Sequence, residues 1–551
     1  MKSRTGATKA QVKRPATWLK SSSAVSILLA VGAAVYLYCF VFSPPLVPIF
    51  NNQGDCIWYL AQAQRMVHGE MIYRDFFELV PPGIVVINAF LFKLFGLRPW
   101  VPSLEVTLLG GGLVWLGGEI SRKMMRPYLA LLPSALFLLD VRQYLLDPIH
   151  HWYSSLAAIA GIAVLLERRT PARIAAAGFF CGLSAFFTQT RGAAAVMGFV
   201  LFFWWESRQR PDGRREFWKN SAWLAVSFVL TLLVLNGYFV WEASPARFLW
   251  CTVVFLIKYY PQQADWNTWR CLTPYMALFS AARHSFHAAF GAVRLLPDLV
   301  GVPCIFIIFF VRYWRKADKE NRKLWERPML VAVVGLFLFL SVLPAPAPNR
   351  VMAGSLPAFI LLGWLLDSKS KAARALVAVC GVLAIVGTAY SVARYRPKVI
   401  GVLTTPHGRL AFSEGNENVY HEYAWVQQHS HPGEYFYEAA YSDINFYFDL
   451  RNPTPMPLVV NNGYTTPRQV ADVIQGLESH QPRYILWSRA GLDVISDWEN
   501  PSDAHLGPLR DYVHSHYVLA NVLDGPEGKD EIWERIAQKM ADSRSRPQSQ
   551  P

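Results

Sequence analysis

Residues 24–43 read AVSILLAVGAAVYLYCFVFS, and after a proline pair residues 51–83 read NNQGDCIWYLAQAQRMVHGEMIYRDFFELVPPG. The first segment has about 20 apolar residues in a row, which is the length of an α-helix that crosses a bilayer. The second segment mixes acidic and aromatic residues. This order predicts a membrane span followed by a chemically active loop at the membrane surface.

The rest of the chain repeats the apolar pattern. With 24–43, the further runs predict about 11 crossings and an α-helical polytopic membrane protein. The composition agrees, because 17% of the 551 residues are charged and 53% are hydrophobic, whereas soluble proteins have about 25% charged residues. The further runs lie near residues 100–120, 127–143, 149–167, 172–188, 192–206, 221–242, 296–313, 329–345, 350–366 and 373–393.

The net charge of +14 is distributed along the chain and does not form one patch. About half of the Lys and Arg residues lie in six short segments that flank apolar runs, which is typical of cytoplasmic loops and argues against nucleic-acid binding. We therefore expect a cytoplasmic basic arm at 1–23 and a transmembrane domain at 24–394. The six segments are 1–23, 121–126, 167–173, 206–219, 312–327 and 367–374.

The apolar run at 82–97 does not fit this topology as a crossing. It is short, contains Lys93, and would move every later basic loop to the outer face if it crossed the membrane. We interpret it as a juxtamembrane helix within the first outer loop, residues 44–99.

Residues 395–540 have shorter apolar runs and more polar turns, which predicts a small α/β domain outside the membrane. Residues 541–551 are predicted to be a disordered tail. The sequence predicts helices at 417–429 and 466–478, and strands at 455–460, 483–488 and 516–522.

Among the acidic residues of the first outer loop, Asp55, Asp75 and Glu78 are candidates for function and lie within 24 residues of sequence. Asp55 opens a helical pattern at 56–68, so it is either an ordinary helix cap or a carboxylate that can take a proton or contact a metal ion at the membrane surface.

This loop resembles the first outer loop of GT-C glycosyltransferases. The closest similarity is to the protein-mannosyltransferase-like and aminoarabinose-transferase-like branch, families 39 and 83. The chain departs from the pattern at Cys56, where many members carry a second acid. The residues that carry the resemblance are Asp55, Tyr59, Leu60, Ala63, Gly69, Tyr73 to Phe77, Pro81 to Gly83 and Leu94 to Gly96.

The resemblance implies an integral membrane enzyme that takes a sugar from a polyprenyl-phosphate donor, with Asp55 as the catalytic or metal-contacting residue. Tyr59 and Asp75 belong to the matching motif and are candidate substrate-binding residues. Members of the superfamily differ in their use of metal, so a divalent ion stays open as a cofactor, with Asp55 as its contact.

Two further groups of residues extend the candidate site. Asp147 precedes Pro148 at the start of a span, where it is either a helix cap or the second acid that family members often place there. Arg191 and Arg350 lie at the outer ends of spans, where an unpaired charge is costly, so they either extend to water or bind a lipid phosphate. Lys258 lies in the aromatic and basic outer stretch 243–295, which either anchors the loop or lines a donor groove.

These residues predict a glycosyltransferase that moves the sugar to a hydroxyl or phosphate acceptor on the extracytoplasmic face. Asp55 is the expected general base, Asp147 and Glu78 assist it, and the arginines hold the phosphate. The expected partners are a polyprenyl-phosphate-linked sugar, membrane lipids, and a glycolipid, polysaccharide or protein acceptor. The expected location is the bacterial inner membrane. The alternatives are a lipid-linked sugar flippase or transporter, and an inactive family member that acts as an assembly partner.

Overall fold

The computed structural model describes residues 17–50, 55–126, 129–141, 147–281, 283–285, 296–317, 322–367, 396–439, 443–493, 505–525 and 528–538, with scattered positions in 375–394. The basic arm up to residue 16, the tail at 541–551 and much of the predicted span 373–393 lie outside the described residues. The described chain is mostly helical and contains a few small sheets.

Residues 17–367 form helices that range from 4 to 31 residues in length. Their bounds are α1 (Thr17–Val41), α2 (Asp55–Val67), α3 (Gly83–Phe95), α4 (Trp100–Arg122), α5 (Leu131–Val141), α6 (His150–Leu165), α7 (Pro171–Phe187), α8 (Gln189–Ser207), α9 (Gly213–Ala243), α10 (Pro245–Leu249), α11 (Phe255–Lys258), α12 (Ala264–Asn267), α13 (Thr273–Ala281), α14 (Val302–Lys316), α15 (Arg322–Leu340), α16 (Pro348–Met352) and α17 (Leu356–Leu366). Short π and 3-10 turns occupy Trp250–Val254, Tyr260–Gln262, Trp269–Leu272 and Pro297–Gly301.

Among the described helices, α4 and α9 are both long and apolar enough to cross a membrane. Much of the apolar surface of α9 is exposed, with Trp241 at 84% and Val234 at 70%. A soluble protein does not leave such a long apolar helix uncovered, so this surface is suited to contact with lipid. Other apolar helices, including α5, α7 and α17, have 10 to 17 residues.

Helix α3 covers most of the 82–97 run and has 13 residues. At 1.5 Å per residue it is about 20 Å long, shorter than the roughly 30 Å hydrocarbon core. The juxtamembrane placement of this run stays a prediction, because α5 and α17 are shorter still and lie in runs predicted to cross.

Helices α7 and α9 approach each other closely because glycines lie at their interface. A Cβ atom at Gly178 would lie 2.5 Å from the carbonyl oxygen of Leu224, and one at Gly182 would lie 2.6 Å from Cβ of Thr231. Small residues at helix contacts are typical of membrane proteins, where close packing replaces the hydrophobic effect as the driving force.

Residues 396–538 combine helices with two of the sheets. Strands β3 and β4 form an antiparallel hairpin, and the second sheet has the order β5-β6-β8-β7, in which only the β5–β6 pair is parallel. Strands β1 (Phe42–Ser43) and β2 (Val47–Pro48) pair at the start of the first outer loop. The remaining elements are β3 (Val399–Thr405), β4 (Gly408–Ser413), α18 (Glu417–His429), β5 (Phe436–Glu438), α19 (Asp443–Phe448), α20 (Pro467–His480), β6 (Tyr484–Ser488), α21 (Arg489–Leu492), α22 (Gly507–His516), β7 (Tyr517–Asp524) and β8 (Lys529–Arg535).

Most elements predicted in this part of the chain are present. The predicted helices correspond to α18 and α20, and two of the predicted strands correspond to β6 and β7. The strand predicted at 455–460 is wrong, because this segment is irregular in the structure. Pro455 and Pro457 lack the backbone N–H that a strand needs for pairing, which explains the difference.

The C-terminal residues pack directly onto the first outer loop. The backbone N–H of Phe50 donates to Ala411 at 2.6 Å, and that of Phe77 donates to Pro455 at 2.8 Å. The amide of Gln64 on α2 donates to Asp449 at 3.0 Å. These bonds and the stacking of Phe50 on Phe412 fix the first outer loop against the C-terminal residues.

We expect Gly178→Ala to destabilise the protein, because the added Cβ must push α9 away from α7. Overpacking of this kind costs roughly 1–3 kcal/mol, and the thermal midpoint of the detergent-purified protein should fall. Gly237→Ala on the facing helix α9 is the control, because no atom lies within 4 Å of that Cβ position. Equal midpoints for both variants would contradict the close α7–α9 contact.

Candidate functional site

Asp55 is the first residue of α2, and its side chain is exposed. Tyr59 lies one turn later on the same face of the helix and is buried, with its ring edge-on to His150 at 5.7 Å between ring centres. The helix start presents the carboxylate, and the aromatic contact holds the helix against the outer end of α6.

The carboxyl groups of Asp55, Glu105 and Asp147 lie near the thiol of Cys56. The thiol is buried, which raises its pKa, and Asp147, Glu105 and Asp55 raise that pKa further. Cys56 and Asp147 also line a small cavity of about 30 Å³, which has room for about two water molecules. The structure thus brings together the predicted Asp55 and Asp147, which are about 90 residues apart in the chain.

The two aspartates differ in their electrostatic surroundings. The Asp55 side chain is open to solvent on one side, yet the protein packed around it raises its pKa, an effect that the nearby Arg350 guanidinium reduces. Burial raises the pKa of Asp147 well above its ordinary value, and the neighbouring Asp55 raises it further. Because two close carboxyl groups resist double ionisation, this asymmetry favours the proton on Asp147 and the charge on Asp55.

Glu105 is the member of the cluster that the sequence analysis missed. It lies on α4, is 6% exposed, and accepts a hydrogen bond from the hydroxyl of Tyr153 on α6. An acid within an otherwise apolar run is costly unless it is paired, which makes it a signal for function. The sequence shows Glu105, but only the packing of α4 on α6 shows its partner.

Arg350 lies on the short helix α16, and its guanidinium brings a positive charge close to Asp55. Its guanidinium donates weak hydrogen bonds to the Tyr260 hydroxyl at 3.3 Å and to Oδ1 of Asn267 at 3.5 Å. Within the described part of the chain, no carboxylate forms an ion pair with Arg350. A guanidinium that is held only by neutral groups, and that lies close enough to Asp55 to lower its pKa, can bind an incoming anion.

Arg191 is buried next to the backbone of Arg350 and is 1% exposed. Its guanidinium donates to the carbonyl oxygen of His151 at 2.6 Å and to the carbonyl oxygen of Arg350 at 3.3 Å. It also donates to the hydroxyls of Ser154 and Ser155. Protein oxygens accept from its Nη1 and Nη2 atoms, and the phosphate contact expected from the sequence stays a prediction.

Glu78 is fully buried in the first outer loop. Its Oε1 atom accepts from the backbone N–H groups of Leu79 at 2.7 Å and Val80 at 2.9 Å. Burial raises the pKa of Glu78 to about 8, against the lowering effect of these bonds. Asp55 is close enough to add to this raised pKa, so Glu78 lies beside the cluster as a carboxyl group that holds the loop.

Asp75 and Lys258 lie outside the carboxyl cluster. Asp75 accepts from the backbone N–H of Met71 at 2.7 Å and pairs with Arg74 at 2.8 Å. The Arg74 hydrogen bond accordingly lowers the pKa of Asp75. Lys258 is exposed at the end of α11, with its Nζ atom 5.4 Å from the ring centre of Tyr259. Its substrate-binding role stays a prediction.

A metal centre is not formed by the described side chains, among which no three His, Cys, Asp or Glu residues cluster as metal ligands. His150 is engaged with Thr188, with 2.7 Å between Nδ1 and Oγ1. The contact of Asp55 with a divalent metal ion, which the sequence analysis left open, stays a prediction.

Solved structures are similar to this chain in fold. ArnT from Cupriavidus metallidurans, solved bound to undecaprenyl phosphate, aligns with a TM-score of 0.54 and 13% identity over 95% of this chain and 99% of that chain. The apo oligosaccharyltransferase of Archaeoglobus fulgidus aligns with a TM-score of 0.48 and 12% identity over 86% of this chain and 70% of that chain. The mycobacterial arabinofuranosyltransferase AftD aligns with a TM-score of 0.42 and 14% identity over 95% of this chain and 40% of that chain.

No protein-family model matches the sequence, and comparison with curated proteins finds no similar sequence. The likeness to ArnT extends over nearly the whole of both chains. The chain therefore has the GT-C fold, a multi-pass membrane fold, as the motif in the first outer loop predicted.

The raised pKa of Glu78 predicts that stability depends on pH. Between its ordinary pKa of 4.5 and its folded value of about 8, the folded state holds a proton that the unfolded state has lost. The free energy of unfolding should therefore decrease as pH rises through this window. Glu78→Gln keeps an oxygen acceptor but cannot ionise, so its thermal midpoint should exceed that of the wild type by more at pH 8 than at pH 5.

The control for this prediction is Glu414→Gln, because Glu414 is exposed and pairs only with Lys398 in the described chain. Its midpoint should follow the wild-type curve at every pH. Parallel curves for Glu78→Gln and the wild type would contradict the buried, proton-holding state of Glu78.

Proposed function

We propose that this chain is a multi-pass membrane glycosyltransferase that moves a sugar from a polyprenyl-phosphate donor to a hydroxyl acceptor on the extracytoplasmic face. The observation that carries the proposal is that Asp55 lies close to both Asp147 and Arg350 within a GT-C fold. The solved ArnT structure contains undecaprenyl phosphate, which supports a donor of the same chemical class here.

In the proposed reaction, Asp55 is the general base. Its carboxylate takes the proton of the acceptor hydroxyl while the hydroxyl oxygen bonds to the anomeric carbon of the sugar. The bond between that carbon and the phosphate oxygen breaks, and its electron pair leaves with the polyprenyl phosphate. General base catalysis of this kind contributes typically 10²–10⁴-fold to the rate.

Asp147 and Glu78 are proposed to support Asp55 in different ways. Asp147 carries the proton of the aspartate pair, which keeps Asp55 charged and leaves Asp147 able to donate a hydrogen bond. Glu78 holds the backbone of the loop beside Asp55. We assign Glu78 to positioning, because its carboxyl group is fully buried.

Arg350 is proposed to bind the phosphate, whose negative charge grows as the sugar leaves. Its partners are neutral and its hydrogen bonds are long, so an anion can replace them at low cost. Arg191 is proposed to position Arg350 through the carbonyl oxygen of that residue. Lys258 is a further candidate contact for the donor. Its ammonium group is exposed, and it lies two residues before Tyr260, whose hydroxyl accepts from Arg350.

The exposed apolar surface of α9 and the basic segments between apolar runs support a cell membrane as the location. We propose the bacterial inner membrane, with the N-terminus in the cytoplasm and residues 395–540 as an extracytoplasmic domain. Glycolipids, polysaccharides and proteins all remain candidate acceptors.

We expect Asp55→Asn to reduce sugar transfer by at least 10²-fold, because an amide cannot accept the proton. The assay uses membranes that contain the cell's own polyprenyl-phosphate sugars, and consumption of each lipid-linked sugar is followed by mass spectrometry. Glu417→Gln is the matched control, since Glu417 is an exposed carboxylate in the first turn of α18. It should retain wild-type activity.

Wild-type activity in a correctly inserted Asp55→Asn protein would remove Asp55 as the base. If no lipid-linked sugar is consumed by inserted wild-type protein, the glycosyltransferase proposal fails. In that case, movement of lipid-linked sugar across vesicles would indicate a transporter, and its absence would favour an assembly partner.

We also expect Arg350→Ala to raise the donor KM by about 10- to 100-fold, the size expected for losing hydrogen bonds to a charged group. The rate at saturating donor should fall less than donor affinity. The measurement is transfer as a function of polyprenyl-phosphate sugar concentration in reconstituted vesicles.

The control is Arg468→Ala, because Arg468 is an exposed arginine on α20 that lies outside the cluster. Its donor KM should be unchanged. An unaltered donor KM in Arg350→Ala would exclude phosphate binding by Arg350.

A further inference from the structure

A second cavity lies between the first outer loop and the C-terminal residues. Its volume is about 490 Å³, which is within the range of ligand sites in proteins. One wall comes from Gln64 near the C-terminal end of α2 and from His68 just after that helix, and the opposite wall comes from α20 and the segment around Arg451. The cavity is therefore formed where these two parts of the chain dock.

The lining of this cavity carries charges of both signs, with two arginines and three carboxylates. Arg65 is paired with Glu70, with 2.5 Å between Nη2 and Oε2, and Asp75 is paired with Arg74. The remaining charged groups on the lining are one guanidinium, of Arg451, and one carboxylate, of Asp472. An anion or a cation would meet a group of its own sign, so the cavity is suited to a neutral ligand.

Several lining groups have open hydrogen-bonding capacity. Within the described residues, the side chains of Arg451, Asp472 and Gln475 make no hydrogen bond or ion pair. Together they offer donors and acceptors on the same surface. Hydroxyl groups both donate and accept, so a polyhydroxylated ligand can use all three.

An aromatic surface completes the lining. The rings of Tyr435 and His480 pack against each other with 4.4 Å between their centres. The apolar lining is otherwise limited to Leu450, prolines and a glycine, so no deep apolar pocket is present that would select the side chain of a peptide. Flat rings beside open polar groups fit a sugar ring better than a peptide.

The position of the cavity relative to Asp55 defines the size of the ligand. Helix α2 begins at Asp55, and Gln64 follows nine residues later. At 1.5 Å per residue, the cavity begins about 14 Å along the helix from the carboxylate. A group bound there is therefore a distant part of an extended molecule whose reacting hydroxyl is at Asp55.

We infer that this cavity binds a neutral oligosaccharide segment of the acceptor, so that the acceptor class is a glycan of several sugar units. This inference rests on the proposed function, since it assigns the acceptor side of the same reaction. The C-terminal residues then select acceptors by length, because only an extended glycan reaches both the cavity and Asp55.

The test measures binding directly on the full chain in detergent micelles. The probes are neutral oligosaccharides released by mild acid from the envelope glycans of the native cell and separated by length, and binding is followed by saturation-transfer NMR. We expect fragments of several units to bind the wild type, and Ser479→Trp to reduce their affinity at least tenfold because Ser479 lines the cavity.

Ala471→Trp is the matched control, because Ala471 is exposed on the same helix but does not line the cavity. It should bind fragments as the wild type does. A second variant, Arg451→Gln combined with Asp472→Asn, removes the open charged groups without adding bulk and should also weaken binding. Arg468→Gln is the control for that change.

Asp55→Asn separates this inference from the proposed function, because it should lose transfer and keep fragment binding. If neither the wild type nor any variant transfers sugar, the proposed function fails. The binding result still decides whether the cavity binds a neutral oligosaccharide. Equal fragment binding by wild type and Ser479→Trp overturns the inference. So does a cavity that binds no neutral fragment, or one that binds a peptide or inorganic phosphate in its place.

Discussion

The buried guanidinium of Arg191 is the contact on which the geometry of the candidate site depends. It joins the carbonyl oxygen of His151 at the start of α6 to the carbonyl oxygen of Arg350 on α16, although these residues are about 200 positions apart. A charge buried at the end of a membrane span is costly unless oxygen atoms surround it. Some of these oxygen atoms belong to α6 and α16, so the hydrogen bonds of Arg191 fix the two helices relative to each other.

The carboxyl groups of the site meet a different requirement. Two neighbouring carboxyl groups repel each other when both are ionised, so one of them has to keep its proton. Asp55 is open to solvent and close to Arg350, whereas Asp147 is less exposed and close to Asp55. Both environments raise the pKa of their aspartate, but the rise is larger for Asp147, so the proton stays on Asp147 before Asp55. One acid that is ready to accept a proton thus lies beside another that holds one, and the fold alone produces this division.

Local patterns in the sequence were sufficient to predict some of these residues. Asp55 follows a glycine at a helix start, Asp147 precedes a proline at a span, and Arg350 interrupts an apolar region. Each is conspicuous in its own segment. The interior position of Arg191 and the pairing of Glu105 with Tyr153 depend on which helices pack together. Contacts between distant segments leave no local pattern, so the sequence did not predict them.

The same distinction explains the role of the C-terminal residues. Their helices could be predicted from periodicity, but their docking on α2 could not, because it depends on single contacts such as the bond of Gln64 to Asp449 and that of Arg65 to the carbonyl oxygen of Thr454. These bonds hold the end of α2 that is opposite to Asp55. A helix fixed at its far end has little freedom to tilt, so the C-terminal residues contribute to the orientation of the Asp55 carboxylate at the other end of α2.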